Sequence, residues 1–276
     1  MNAGGPLGLI AGNGRFPFLV ARAARTAGRR VVCVAISEET APELESEVDE
    51  IHWVSLGQLG RAIAALKNGG ASEAVMAGQV KHRQIFAGIM PDLTLMGVLA
   101  RLAIKNTDSL IGGVADALER EGIRLLASTA LLEDQLATAD AMTRARPSAD
   151  EMKDIAYGRE VADALAGMDL GQTVVVKGRA AVALEAMEGT DEVIRRAGRI
   201  AGPGTVVVKV AKPRQDMRFD VPVVGAATLL AMKEAGARVL AIEAGRTLVL
   251  ERPAFLAQAD ALGVAVHGLG AAGRRP

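Results

Sequence analysis

The chain is poor in the residues on which whole classes of protein depend. It has one cysteine in 276 residues, so no internal disulfide can form. Only 3% of the residues are aromatic, and Lys plus Arg equal Asp plus Glu at 32 each. That balance leaves no global positive field, and no nucleic-acid partner is expected. The three histidines, His52, His82 and His267, lie far apart, and Cys33 stands alone, so zinc-ligand spacing is missing. No Gly-x-Ser-x-Gly elbow marks a serine nucleophile. No uncharged apolar run reaches the roughly 18 residues of a membrane span. The most lipid-like segment, residues 85–104, is interrupted by Asp92 and Arg101 and reads as a core-facing helix plus loop. The first residues lack the basic, apolar and cleavage-site succession of a secretion signal, so a cytoplasmic location is expected.

What is present is small and apolar. Half of the residues are hydrophobic and 31 are glycine, which suits buried parallel strands covered by helices. Leu7–Ala11, Val31–Ile36, residues 52–54, Glu73–Ala77 and residues 123–126 read as strands, with helical patterns over residues 17–27 and 56–68. Cys33 falls inside the second run and is expected to be buried. Strands alternating with helices imply βαβ crossovers and a parallel sheet. Around residues 138–150 the chain turns polar, and Ser148 is placed to cap a helix carrying Glu151. The expected fold class is α/β in two domains: a Rossmann-like parallel sheet over residues 1–143 and a second α/β domain over residues 144–276. The pentapeptide Thr-Val-Val-Val-Lys occurs at residues 173–177 and again at 205–209. Neighbouring parallel strands in similar register would bring Lys177 and Lys209 to one edge; two solvated strand-end lysines are the plain alternative.

Several segments could carry chemistry. Gly8-Leu9-Ile10-Ala11-Gly12-Asn13-Gly14 is a strand running into a glycine turn and then a helix. Such a turn lets backbone N–H groups of Gly12, Asn13 and Gly14 approach a phosphate at a helix N-terminus, or it is merely tight. A dinucleotide site would want a glycine where Pro17 stands and an acid at the end of the second strand, where Ser37 precedes Glu38 and Glu39, so the match to a nicotinamide site is poor. Beyond the fourth strand, Gln79, Lys81, His82 and Arg83 could meet a phosphate or polar head group, because ligands of open parallel sheets lie past the carboxyl ends of the strands. A solvated basic turn explains them as well. Lys105 precedes Thr107, which could cap a helix. Glu188-Gly189-Thr190-Asp191 puts two acids and a threonine at a helix start, suited to a hard divalent cation beside phosphate or to plain capping. Residues 209–222 alternate bases and acids (Lys209, Lys212, Arg214, Asp216, Arg218, Asp220) around Pro213 and Pro222, the pattern of a loop wrapping an anionic ligand and its metal.

Taken together, Gly8–Gly14, Val182-Ala183-Leu184-Glu185-Ala186-Met187-Glu188-Gly189-Thr190-Asp191, Asp216-Met217-Arg218-Phe219-Asp220-Val221-Pro222 with Gly225 and Thr228, and the stretch from Ile242 to Glu251 resemble one family over nearly the whole chain. It is the UDP-2,3-diacylglucosamine pyrophosphatase of the α-proteobacterial type, an enzyme of lipid A synthesis. The resemblance implies Mg2+-dependent hydrolysis of a sugar-nucleotide pyrophosphate to UMP and 2,3-diacylglucosamine 1-phosphate (lipid X), with the substrate in a cleft between the two domains. On that reading Asp191, Glu188 and Asp220 are the catalytic candidates, and Asp191, Asp216 and Asp220 the metal ligands. Gly12, Asn13, Gly14, Gln79, Lys81, Lys105, Lys177, Thr190, Lys209 and Arg218 are the substrate-binding candidates. The family pattern also leads one to expect an acid where Ala227 stands. Its absence reflects either natural divergence or an engineered, inactivated variant. A lipid substrate implies transient contact with the inner membrane surface, and a homodimer is compatible with the reading. The rivals are a nicotinamide-dependent oxidoreductase and a non-catalytic lipid or sugar-nucleotide carrier.

Overall fold

In a computed structural model, residues 4–80, 90–102 and 107–270 are described. Two compact units emerge: Met1–Glu133 together with Asp216–Asp220, and Asp134–Gln215 together with Val221–Pro276.

In the first unit β1 (Leu7–Ala11), β2 (Val31–Ile36), β3 (Glu50–Val54), β4 (Glu73–Ala77) and β5 (Arg124–Leu125) form one five-stranded parallel sheet in the order β3-β2-β1-β4-β5. β2 is buried at all six positions, as an uninterrupted Val-Val-Cys-Val-Ala-Ile run requires of a strand covered on both faces. Burial pushes the Cys33 thiol up to about 12, so it stays protonated and inert. The helices are α1 (Phe16–Thr26), α2 (Leu59–Asn68), α3 (Leu93–Leu99) and α4 (Thr107–Arg120). Leu59, Ala62, Ile63 and Leu66 recur at helical spacing, so α2 turns one apolar side toward Val32 and Val34 of β2 and Leu118 of α4.

Between β1 and β4 the strand order reverses direction, and the two backbones meet there. The Gly12 N–H donates to the Ala77 carbonyl (2.8 Å), the Asn13 N–H to the Gln79 carbonyl (2.7 Å) and the Gln79 N–H to the Asn13 carbonyl (3.2 Å). A Cβ on Gly12 would lie 2.6 Å from the Gln79 carbonyl oxygen, and one on Gly78 only 2.5 Å from that of Asn13. Gly78 also has φ of +91°, which side chains rarely adopt.

The second unit holds a six-stranded mixed sheet, β6-β13-β11-β9-β7-β8. Its strands are β6 (Asp140–Ala141), β7 (Thr173–Lys177), β8 (Ala180–Leu184), β9 (Val206–Lys209), β11 (Val239–Glu243) and β13 (Ala265–Leu269), while β10 (Val223–Val224) and β12 (Leu248–Val249) pair separately. β9, β11 and β13 are parallel; β6, β7 and β8 run antiparallel to their neighbours. The helices are α5 (Ala149–Gly167), α6 (Thr190–Ala201), α7 (Ala226–Ala235) and α8 (Arg252–Leu262). Strand alternation divides the valines: Val174 and Val176 pack with Ile155 and Leu165 of α5, and Val175 packs with Val193 of α6 and Leu229 of α7. Ser148 caps α5 as expected, its hydroxyl accepting from the Glu151 N–H (3.2 Å) while its own N–H donates to the Glu151 carboxylate (2.7 Å).

One expectation is corrected. The repeated pentapeptides do lie on neighbouring strands, but β7 and β9 are antiparallel with Thr173 opposite Lys209, so Lys177 and Lys209 sit at opposite ends. The contact-defined units divide at Glu133/Asp134, ten residues before the expected 143/144, and β6 already pairs with β13 as an edge strand of the second sheet. We expect Gly78→Ala to destabilise the protein by roughly 2 kcal/mol or more, from backbone strain plus the clash with Asn13, read by urea unfolding.

Candidate functional site

The glycine turn and the end of β4 form one structure at the switch point of the first sheet, the place where open α/β sheets bind ligands. Gly12, Asn13, Gly14 and Gln79 therefore come together, but the N–H groups of Gly12 and Asn13 are bonded to the Ala77 and Gln79 carbonyls, so of the three expected to face a phosphate only that of Gly14 is left. Glu39, which sequence reading dismissed, also reaches the turn: its carboxylate accepts from Asn13 Nδ2 at 3.2 Å. The Thr40 hydroxyl, one residue on, donates to the Ala11 carbonyl (2.6 Å) and locks the end of β2 to that of β1. Lys81 and Lys105 lie outside the described residues, as do His82 and Arg83.

An aliphatic cavity of about 210 Å³ opens from this turn. Gly12, Ala77 and Gly78 border it, Ser55 and Gln58 also line it, and the rest of its walls are apolar, among them Ile10, Val34, Met76, Leu95, Val114 and Phe219. Phe219 comes from the Asp216–Asp220 segment, which packs wholly within the first unit. The Ser128 hydroxyl fastens that segment by bonding to the carbonyls of Arg218 (2.8 Å) and Met76 (2.6 Å), and the Ser128 N–H donates to the Met217 carbonyl (2.7 Å). No periodicity in the sequence announces these contacts.

Within the segment, Arg218 is committed to acids. Its Nε and Nη2 donate to both Asp216 carboxylate oxygens (2.7–3.1 Å) and its Nη1 to Glu119 (2.8 Å). The Arg218 guanidinium holds the Asp216 carboxyl below its ordinary range, and Asp216 in turn raises that of Arg218. Asp220 follows in the same turn, its N–H bonded to the Asp216 carbonyl at 2.8 Å.

In the second unit the acids gather at the start of α6. Lys209, 4% exposed, donates from Nζ to the Thr190 hydroxyl at 2.6 Å. Thr190 donates onward to buried Glu185 (3.0 Å), and the Thr173 hydroxyl lies 3.3 Å from that of Thr190. The Gln172 N–H bonds the other Glu185 oxygen at 3.2 Å. A buried ammonium and carboxylate bridged by one hydroxyl form a network whose members satisfy each other. Asp191, in the first turn of α6, is half-buried, and among the described residues no hydrogen bond or ion pair engages its carboxylate. Glu188 is different. Its own backbone N–H, then Arg196 (2.6 Å) and the Ala186 N–H (3.1 Å), hold its carboxyl low. Lys177 donates to the carbonyls of Ala201 (2.7 Å) and Pro203 (2.8 Å), which makes it a cap for the end of α6. Ala227 is exposed in the first turn of α7, where no acidic residue stands.

Among the described residues no group of three or more His, Cys, Asp or Glu is placed to hold a metal ion. Magnesium, however, is commonly bound by one or two carboxylates plus substrate phosphate oxygens. Asp191 suits that role better than Asp216, whose oxygens are taken by Arg218.

Residues 6–135 match the family model of the LpxI N-terminal domain, and residues 138–267 that of the LpxI C-terminal domain. The UDP-2,3-diacylglucosamine pyrophosphatase LpxI of Caulobacter vibrioides is 32% identical over 274 residues, covering 95% of this chain and 97% of its own. Among solved structures, a biotin carboxylase subunit of pyruvate carboxylase is 16% identical over 71% of this chain and 41% of its own length, with a TM-score of 0.27, too low to inform the fold.

Two measurements check the site's internal bonding. Thr190→Val removes the hydroxyl between Lys209 and Glu185 and is expected to cost about 1–3 kcal/mol in urea unfolding, whereas Thr190→Ser recovers most of it. Asp216 has a folded-state value below its unfolded 3.8, so its contribution is complete above that pH and is lost as pH falls through the folded value. Arg218→Ala should accordingly flatten the acid limb of a melting-temperature profile.

Proposed function

The chain belongs to the LpxI family, and from that membership we propose that it hydrolyses UDP-2,3-diacylglucosamine to UMP and 2,3-diacylglucosamine 1-phosphate. The observation that carries this reading is the match to a pyrophosphatase across 95% of the chain, with both domain models in order. In the reaction a water oxygen bonds to one phosphorus, the bridging P–O bond breaks, and the bridging oxygen leaves with the other phosphate. No covalent enzyme intermediate is needed, so positioning of water and phosphate supplies the rate.

The first unit offers what such a substrate needs at its two chemical ends. The Gly14 N–H, the one in the turn not bonded to Ala77 or Gln79, suits a phosphate oxygen, and the aliphatic cavity beside it suits an acyl chain. Asp191 and Asp220, each within its own unit, are the acids proposed to position water. Mg2+ held by such a carboxylate together with the substrate phosphates would offset the pyrophosphate charge. Glu188 and Lys177 are proposed to act structurally, through Arg196 and the α6 carbonyls. A lipid substrate also places the protein at a membrane surface transiently.

Purified protein with Mg2+ is expected to release UMP and the lipid phosphate one for one and to stop on chelation; no UMP from intact substrate would sink the assignment. Asp191→Asn should lower turnover on the order of 100-fold, while Lys177→Ala leaves it near wild type. If the acid expected at 227 has been lost, Ala227→Asp raises turnover by a similar factor. Unchanged turnover would mean that the chain works without an acid there, and binding without turnover in both forms would favour a carrier.

A further inference from the structure

Among the described residues, α3 is a short helix with two apolar sides. Leu95 and Val98 turn into the first unit, and Leu95 walls the aliphatic cavity. With 3.6 residues per turn, Leu93, Met96, Gly97 and Ala100 fall on the opposite side. A surface helix ordinarily carries charge there, yet residues 93–100 contain none. Leu93 is 83% exposed, Met96 44%, and Met90 just before the helix 89%. The segment's one acid, Asp92, is turned to backbone, accepting from the N–H groups of Leu95 (2.9 Å) and Gly60 (2.7 Å). Arg101, the first cation after the helix, is exposed.

We propose that this face docks on a lipid bilayer, with Met90, Leu93 and Met96 entering the boundary between head groups and acyl chains. The proposal rests on the reading that the substrate carries acyl chains. A molecule with two such chains resides in a bilayer, and the helix that would touch the bilayer also walls the cavity suited to a chain. Three large side chains fall well short of the roughly 20–30 residues a side of a stable protein–protein interface, which argues against a second copy as the occupant. Shallow insertion of a few apolar side chains with a basic residue nearby is the ordinary form of reversible interfacial binding.

The test is sedimentation of the full chain with vesicles of phosphatidylethanolamine and phosphatidylglycerol, comparing wild type with the double variant Leu93→Glu/Met96→Glu. Both side chains are exposed, so the melting temperature should hold. The expected result is at least about a tenfold fall in vesicle partitioning, with unchanged UMP release from a short-chain, water-soluble substrate analogue. A tryptophan placed at Leu93→Trp should shift its emission to the blue on vesicle addition. Equal partitioning of the double variant and wild type overturns the proposal. So does a concentration-dependent dimer that the double variant abolishes while vesicle binding persists. Wild type that hydrolyses the short-chain analogue yet ignores vesicles overturns the docking surface alone. Wild type that binds vesicles through this face but hydrolyses neither substrate overturns the reaction and leaves the surface standing.

Discussion

At the switch point of the first unit two backbones approach so closely that neither can carry a side chain where they cross. Gly12 and Gly78 each face a carbonyl oxygen at a distance no Cβ tolerates. Because they yield, Asn13 and Gln79 can exchange backbone hydrogen bonds past the ends of β1 and β4. That exchange sets the glycine turn, puts the Asn13 amide within reach of Glu39 and supplies one border of the aliphatic cavity. The glycine turn and the apolar hollow thus share one backbone contact.

The second unit solves a different problem, that of keeping charge inside a valine-rich sheet. Lys209 ends a strand whose other residues are fully buried, and its ammonium cannot reach solvent. Thr190 and Glu185 receive it, so the start of α6 is held by a chain of donors and acceptors. A lone buried charge would be costly; a hydroxyl between opposite charges removes most of that cost. Asp191 stands one residue beyond this fixed point, so its backbone is held firmly while its carboxylate stays available.

Much of this was legible in the residues. The first four strands, both early helices, the buried cysteine and the Ser148 cap follow from local pattern, because period, capping and β-branching are local properties. The glycine turn and Gln79 were placed at one edge because parallel topology alone implies it. Strand direction was not legible: two identical pentapeptides fit parallel and antiparallel neighbours equally well, and only the connections between them decide. Nor did spacing reveal that Arg218 would face Asp216 and Glu119, since Glu119 lies in a distant helix. Glu185 was hidden because nothing local to it shows that Thr190 would close on its carboxylate and link it to Lys209. Phe219 was hidden inside a charged motif that drew attention to its neighbours.

The placement of Asp216–Asp220 has a consequence for how the molecule can be divided. The polypeptide passes between the two units three times, at 133/134, 215/216 and 220/221. A gene fragment ending at Glu133 would encode all five strands of the first sheet yet lack Phe219 from its apolar interior, the Met217 and Arg218 carbonyls that Ser128 grips and the guanidinium beside Glu119. The complementary fragment would keep five residues with nothing of their own unit to pack on. The halves matched by separate domain models are therefore not interchangeable modules: any shuffling of one half among relatives must carry this pentapeptide along with the sheet it completes.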